Sequence, residues 1–96
     1  MIGLVVTLKV QPGKEAEFEA VMKDAMAKVK ANEPGVMIYQ LFKSQSEDGT
    51  YVMMEQYSSK EALDAHGKTP HMAEMITNMG PCLDGRPQFQ FLDLVE

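Results

Sequence analysis

Two neighbouring segments, Val36 to Ser44 and Tyr51 to Tyr57, alternate as strands do, yet each carries apolar side chains on both faces. On the first, Val36, Ile38 and Phe42 share one side, and Met37, Tyr39 and Leu41 share the other. On the second, Val52 and Met54 oppose Tyr51, Met53 and Tyr57. β-Branched and aromatic residues fit a pleated backbone. Between the two segments, Ser46-Glu47-Asp48-Gly49 supplies turn chemistry, so they read as a hairpin. A sheet that is apolar on both sides must be covered on both sides, and this requirement limits every architecture open to the chain.

The flanking segments supply cover for one side. Ile2 to Val10 reads as a strand, with Ile2, Leu4, Val6, Leu8 and Val10 at period two, stopped by Pro12-Gly13. Lys14 to about Ala31 reads as a helix whose stripe is Phe18, Val21, Met22, Ala25 and Val29. Glu19–Lys23 and Asp24–Lys28 are spaced as ion pairs on its wet side. Pro34-Gly35 ends it. Beyond the hairpin, Ser58 and Glu61 are spaced as a capping box for a short helix that Gly67 can close. Thr69-Pro70 then opens a further helix with Met72, Met75, Ile76 and Met79 as its stripe, closed by Gly80-Pro81. Phe89 to Val95 reads as the last strand.

The order is β-α-β-β-α-β with the second helix broken at Gly67. It predicts an α+β fold of ferredoxin-like topology, an antiparallel sheet with its helices on one face. No element remains for the other face. A second copy packed sheet to sheet would cover it, so a homodimer is expected.

A chain of 96 residues suits a single domain over 1–96. Its net charge of −5 and single arginine, Arg86, argue against nucleic acid and anionic membrane as partners, because phosphate contacts need a basic stripe. Cys82 is alone, so no disulfide forms within the chain. No leader pattern is visible and no apolar run approaches the ~20 residues of a membrane span, so a cytoplasmic location is expected. The sequence has no Gly-rich phosphate loop, no zinc-type Cys/His spacing and no Gly-x-Ser-x-Gly elbow. Two histidines with no other obvious ligand leave a metal's coordination incomplete, so no metal is expected.

Few residues are left to carry chemistry. His66 and His71 flank the helix break, and histidine is the natural base near neutral pH. Two alternatives stand beside that role, namely packing of His66 at a helix end and capping by His71. Glu55 lies mid-strand on the face of Met53 and Tyr57, where a carboxylate is costly unless partnered. It reads either as a base or as an acceptor for a neighbouring donor. Met53, Met72 and Met75 belong to a set of nine methionines that suit a core or a tolerant pocket. Tyr39, Tyr51 and Tyr57 could stack on a planar ligand or pack in the sheet. Cys82 has no activating neighbour in sequence and reads as structural.

Glu55-Gln56-Tyr57, Ala62-Leu63 and His66-Gly67-Lys68-Thr69-Pro70-His71 together resemble the signature of the antibiotic biosynthesis monooxygenase family. Val10-Gln11-Pro12-Gly13-Lys14 and the Glu33-Pro34-Gly35 turn also match, so the resemblance covers nearly the whole chain. It implies a dimeric α+β barrel in which two ferredoxin-like sheets face each other. It also implies cofactor-free oxidation of quinols or polycyclic phenols, with the chain similar to small bacterial quinol monooxygenases. The stretch from His66 to Arg86 is also similar to the isomerase that processes phosphorylated autoinducer-2. Haem-degrading relatives use a tryptophan and a first-strand asparagine, and this chain has neither.

The expected activity is therefore cofactor-independent monooxygenation of a small quinol or polyphenol. His66, His71 and Glu55 would handle protons, and Tyr39, Met53, Tyr57, Met72 and Met75 would line an apolar cleft. One alternative is an isomerase of a small carbonyl compound, with Arg86, Lys68 or Lys43 meeting a phosphate. The other is a ligand-binding or stress-response protein without turnover.

Overall fold

A computed structural model describes all 96 residues. The elements run β1 (Ile2–Lys9), α1 (Glu15–Asn32), β2 (Val36–Lys43), β3 (Thr50–Tyr57), α2 (Lys60–His66), α3 (Pro70–Met79) and β4 (Gln88–Asp93), with one 3-10 turn at Gly80–Cys82. The strands form one sheet in the order β2-β3-β1-β4, every neighbouring pair antiparallel. This is the ferredoxin-like α+β arrangement that the element order predicts.

Strand alternation decides what is buried. On β1, Leu4, Val6 and Leu8 turn inward and stand opposite Glu55, Met53 and Tyr51 of β3. The helix α1 lays Phe18, Met22, Ala25 and Val29 onto this face. The Phe18 and Tyr51 rings meet at 4.8 Å between centroids. Met75 and Met79 of α3 and Cys82 close the far end of the same cluster. Burying a large apolar side chain contributes about 1.5–3 kcal/mol, so this one layer between helices and sheet carries most of the fold's stability.

Three local expectations need correction. Val36 does not share a face with Ile38 and Phe42. A bulge between Val36 and Ile38 pairs Val36 with Tyr57 and Ile38 with Gln56, which returns Val36 to the inward side with Tyr39 and Leu41. Ser59, not Ser58, caps α2, its side chain accepting from Ala62 N at 3.1 Å. Ser58 is retained by the strand end, where its N–H donates to Gly35 O at 2.9 Å. Lys28 does pair with Asp24 at 2.9 Å, but Glu19 turns away from Lys23 to accept from the Tyr51 hydroxyl at 2.5 Å and meet Lys43 at 3.6 Å.

The opposite face of the sheet carries no helix. Ile38, Phe42, Met54 and Leu92 are exposed there, so the chain alone leaves that side uncovered. No helix is long and apolar enough to cross a membrane.

Candidate active site

A cavity of about 230 Å³ opens between the inward face of the sheet and the α2–α3 pair. Its walls are almost wholly apolar. β1 supplies Leu4, Val6 and Leu8, and α3 supplies Met72, Met75, Ile76 and Met79. Phe89 and Phe91 of β4 stand at its edge, stacked at 6.5 Å between centroids and mostly exposed. They share the inward side because they pair with Val6 and Leu4. A larger cleft of about 450 Å³ lies against α1 and β2, but Lys30 and Tyr39 are the only ionisable groups in it. Of these two, only the first cavity gathers a carboxylate and an imidazole in its wall.

Three polar side chains enter that apolar wall: Tyr39, Glu55 and His66. Glu55 is held by β3 and accepts a hydrogen bond from the Tyr57 hydroxyl. Burial pushes its carboxyl up to about 7, the Tyr57 hydrogen bond pulls the other way, and the charge of Glu33 adds to the rise. Near neutral pH, Glu55 is therefore poised to give or take a proton. Both phenols stay protonated. Burial first, then the Glu55 and Glu33 charges, hold Tyr39 and Tyr57 well above the usual phenol range. The Tyr39 hydroxyl points at two sulfurs, Met72 Sδ at 3.7 Å and Met75 Sδ at 3.8 Å, which are weak acceptors.

His66 ends α2 and is only 4% exposed. Its ring packs against Tyr39 and Tyr57, with centroids 5.2 and 5.3 Å away. Nδ1 lies 2.8 Å from Glu33 Oε1, whereas Nε2 is buried without a hydrogen-bond partner. His71, in the first turn of α3, places Nε2 2.5 Å from Glu33 Oε2. The helix break is what allows this. Thr69 caps α3, accepting from Met72 N at 3.3 Å while its hydroxyl donates to His66 O at 2.9 Å. The two histidines are thereby turned toward one carboxylate.

The structure brings six of the residues singled out in the sequence to one cavity: His66, Glu55, Tyr39, Met53, Met72 and Met75. Tyr57 and His71 do not line it. Tyr57 is fully buried behind Glu55 and His66, and His71 faces Glu33. Lys43, Lys68 and Arg86 do not line it either, and Lys43 is taken up by Glu19. Sequence reasoning treated Glu33 only as part of a turn. One signal could have marked it: the C-terminal end of a helix disfavours an anion, and Glu33 sits at that end of α1. Phe89 and Phe91 were likewise read as strand only, although Gln88-Phe89-Gln90-Phe91 places two aromatics on one face.

Comparison with known proteins agrees with this architecture. A solved structure from Caulobacter crescentus CB15, provisionally named an antibiotic biosynthesis monooxygenase, superposes with a TM-score of 0.97 at 52% identity, covering 99% of this chain and 90% of that one. YcnE of Bacillus subtilis (strain 168), provisionally named a monooxygenase, is 34% identical over 76 residues, 79% of each chain. The uncharacterized protein sll1783 of Synechocystis sp. is 30% identical over 69 residues, 72% of this chain, which spans under half (46%) of that relative's length. A family model described as antibiotic biosynthesis monooxygenase matches residues 1–78, which include every polar residue of the site, and the chain belongs to that family.

Proposed function

We propose that the chain is a cofactor-free monooxygenase that oxidises a small quinol or polyphenol with molecular oxygen, His66 taking the phenolic proton through Nε2. One observation carries this reading. A buried imidazole nitrogen without a partner belongs to a side chain in the wall of an otherwise apolar cavity, and the other nitrogen of that ring is tied down. A buried acceptor left unmet costs about 1–3 kcal/mol, and a substrate hydroxyl would satisfy it.

The chemistry needs little more from the protein. Removing the phenolic proton makes the ring electron-rich enough to pass one electron to oxygen. The radical pair then joins at a ring carbon as a hydroperoxide. Loss of the proton from that carbon, with cleavage of the O–O bond, releases water and leaves a carbonyl. In sum, quinol and oxygen give hydroxyquinone and water. The apolar walls exclude bulk water and hold the ring. Glu55, titrating near 7, returns a proton to the departing oxygen. Proton transfer through an enediol would use the same pair in an isomerase, but the absence of lysine or arginine from the cavity lining disfavours a phosphorylated substrate. The exposed apolar side of the sheet supports a homodimer in which a second copy covers it.

The test is oxygen consumption by chelator-treated protein on a panel of quinols and polyphenols, beside His66→Ala. Uptake above autoxidation that falls by on the order of 100-fold or more in the variant is the expected result. Uptake equal in both proteins would remove His66 from the chemistry, and none in either would remove the quinol reading.

A further inference from the structure

We propose that Glu33 is the positioning residue of this site, a carboxylate that fixes the tautomers of both histidines so that His66 offers a lone pair at Nε2. The inference rests on the reading of His66 as the base and adds the residue that makes it one. An ionised carboxylate only accepts hydrogen bonds, so each ring nitrogen facing it must carry a proton. Glu33 faces His66 Nδ1 at 2.8 Å with one oxygen and His71 Nε2 at 2.5 Å with the other. A neutral imidazole has a single N–H. His66 therefore keeps its proton on Nδ1, and Nε2, buried and unpartnered, is left as the acceptor.

Little solvent reaches the contact. The Glu33 side chain is 10% exposed, and those of His66 and His71 are 4% and 10% exposed. The helix does not stabilise the charge either, since Glu33 stands at the unfavourable end of α1. The two imidazole donors are what hold it. Their approach depends on Gly35, where an added Cβ would lie 2.7 Å from Ala62 Cβ of α2. Without a side chain there, α2 packs directly on the turn that carries Glu33.

Glu33→Gln exposes the arrangement. An amide keeps one acceptor and replaces the other with an NH2 donor. Whichever way it turns, one histidine then faces a donor and must present a lone pair instead. The experiment reads both histidine tautomers by 15N NMR at pH 7.5 in the wild type, Glu33→Gln and Glu33→Ala, with kcat and KM on the quinol panel. We expect Nδ1–H on His66 and Nε2–H on His71 in the wild type, with at least one switched in Glu33→Gln. We expect Nε2–H to appear on His66 in Glu33→Ala, with kcat down on the order of 100-fold and KM within about twofold. A wild-type His66 protonated on Nε2, or wild-type tautomers at both histidines in Glu33→Gln, would overturn the assignment. So would switched tautomers at undiminished kcat. A purely structural Glu33 would lower thermal stability and leave the tautomers unchanged. Should the wild type consume no oxygen, the quinol reading fails on its own, and the NMR result still decides what Glu33 does.

Discussion

Replacing Glu55 with glutamine should make the protein more stable at alkaline pH and change little in acid. The Glu55 carboxyl titrates at about 7 in the folded chain against an ordinary value of 4.5. Between those values the folded state holds a proton that the unfolded state has released, so wild-type stability falls as pH rises through this window. Each pH unit of one-proton difference is worth about 1.4 kcal/mol, and the whole interval therefore amounts to about 3 kcal/mol. Glutamine keeps an oxygen to accept from the Tyr57 hydroxyl and never ionises. Urea unfolding of both proteins, followed by circular dichroism at fixed concentration from pH 5 to 8, gives the difference directly and cancels the groups they share. The advantage of Glu55→Gln should be about 1 kcal/mol at pH 5 and grow to about 3 kcal/mol at pH 8. That is large beside the roughly 5–15 kcal/mol that holds a typical domain together. A flat difference would mean that folding does not shift the Glu55 carboxyl, and one of opposite sign that Glu55 is stabilised as an anion; either would remove the proton-donor role assigned to it.

Two other substitutions test separate parts of the account. Gly35→Ala should cost about 1–3 kcal/mol of stability by overpacking, and should weaken the Glu33–His66 contact, because the new methyl meets Ala62; an unchanged melting temperature would show that α2 is not seated on the turn. Met54→Glu places a charge in the centre of the exposed sheet face and should convert a dimer to monomer in light scattering; a wild-type monomer, or a dimeric variant, would show that this face is not the interface.

The sheet and helices were legible because their signals are local. Leu4, Val6 and Leu8 alternate, Phe18, Met22, Ala25 and Val29 recur at helical spacing, and Thr69-Pro70 marks a helix start, all within a few residues. The side taken by Val36 was not legible, since a bulge depends on how two strands pair rather than on the composition of either. The cavity was half legible. Tyr39, Glu55 and His66 are unusual where they stand, and each was marked for that reason. Glu33 meets histidines 33 and 38 positions away, and no periodicity reports such a contact. Tyr57 shows the converse limit. Alternation placed it on the correct face, but not the fact that it stands behind the cavity wall rather than in it.

The bulge on β2 also determines which single-residue deletions the hairpin can absorb. Val36, Ile38 and Tyr39 pair with Tyr57, Gln56 and Glu55, so Met37 is the one residue of the strand without an opposite number. A chain lacking Met37 would run an unbroken ladder with Tyr39 still facing Glu55. A chain lacking Gln40 would draw Leu41 outward and bring Phe42 inward, exchanging the two faces of the strand from its middle onward. In a deletion scan by thermal melting, loss of Met37 should therefore be the milder of the two, and equal losses would show that the register is held from outside the hairpin. Along β2, the length of the chain between the turn at Gly35 and Tyr39 is free to vary by one residue, whereas beyond Tyr39 it is fixed.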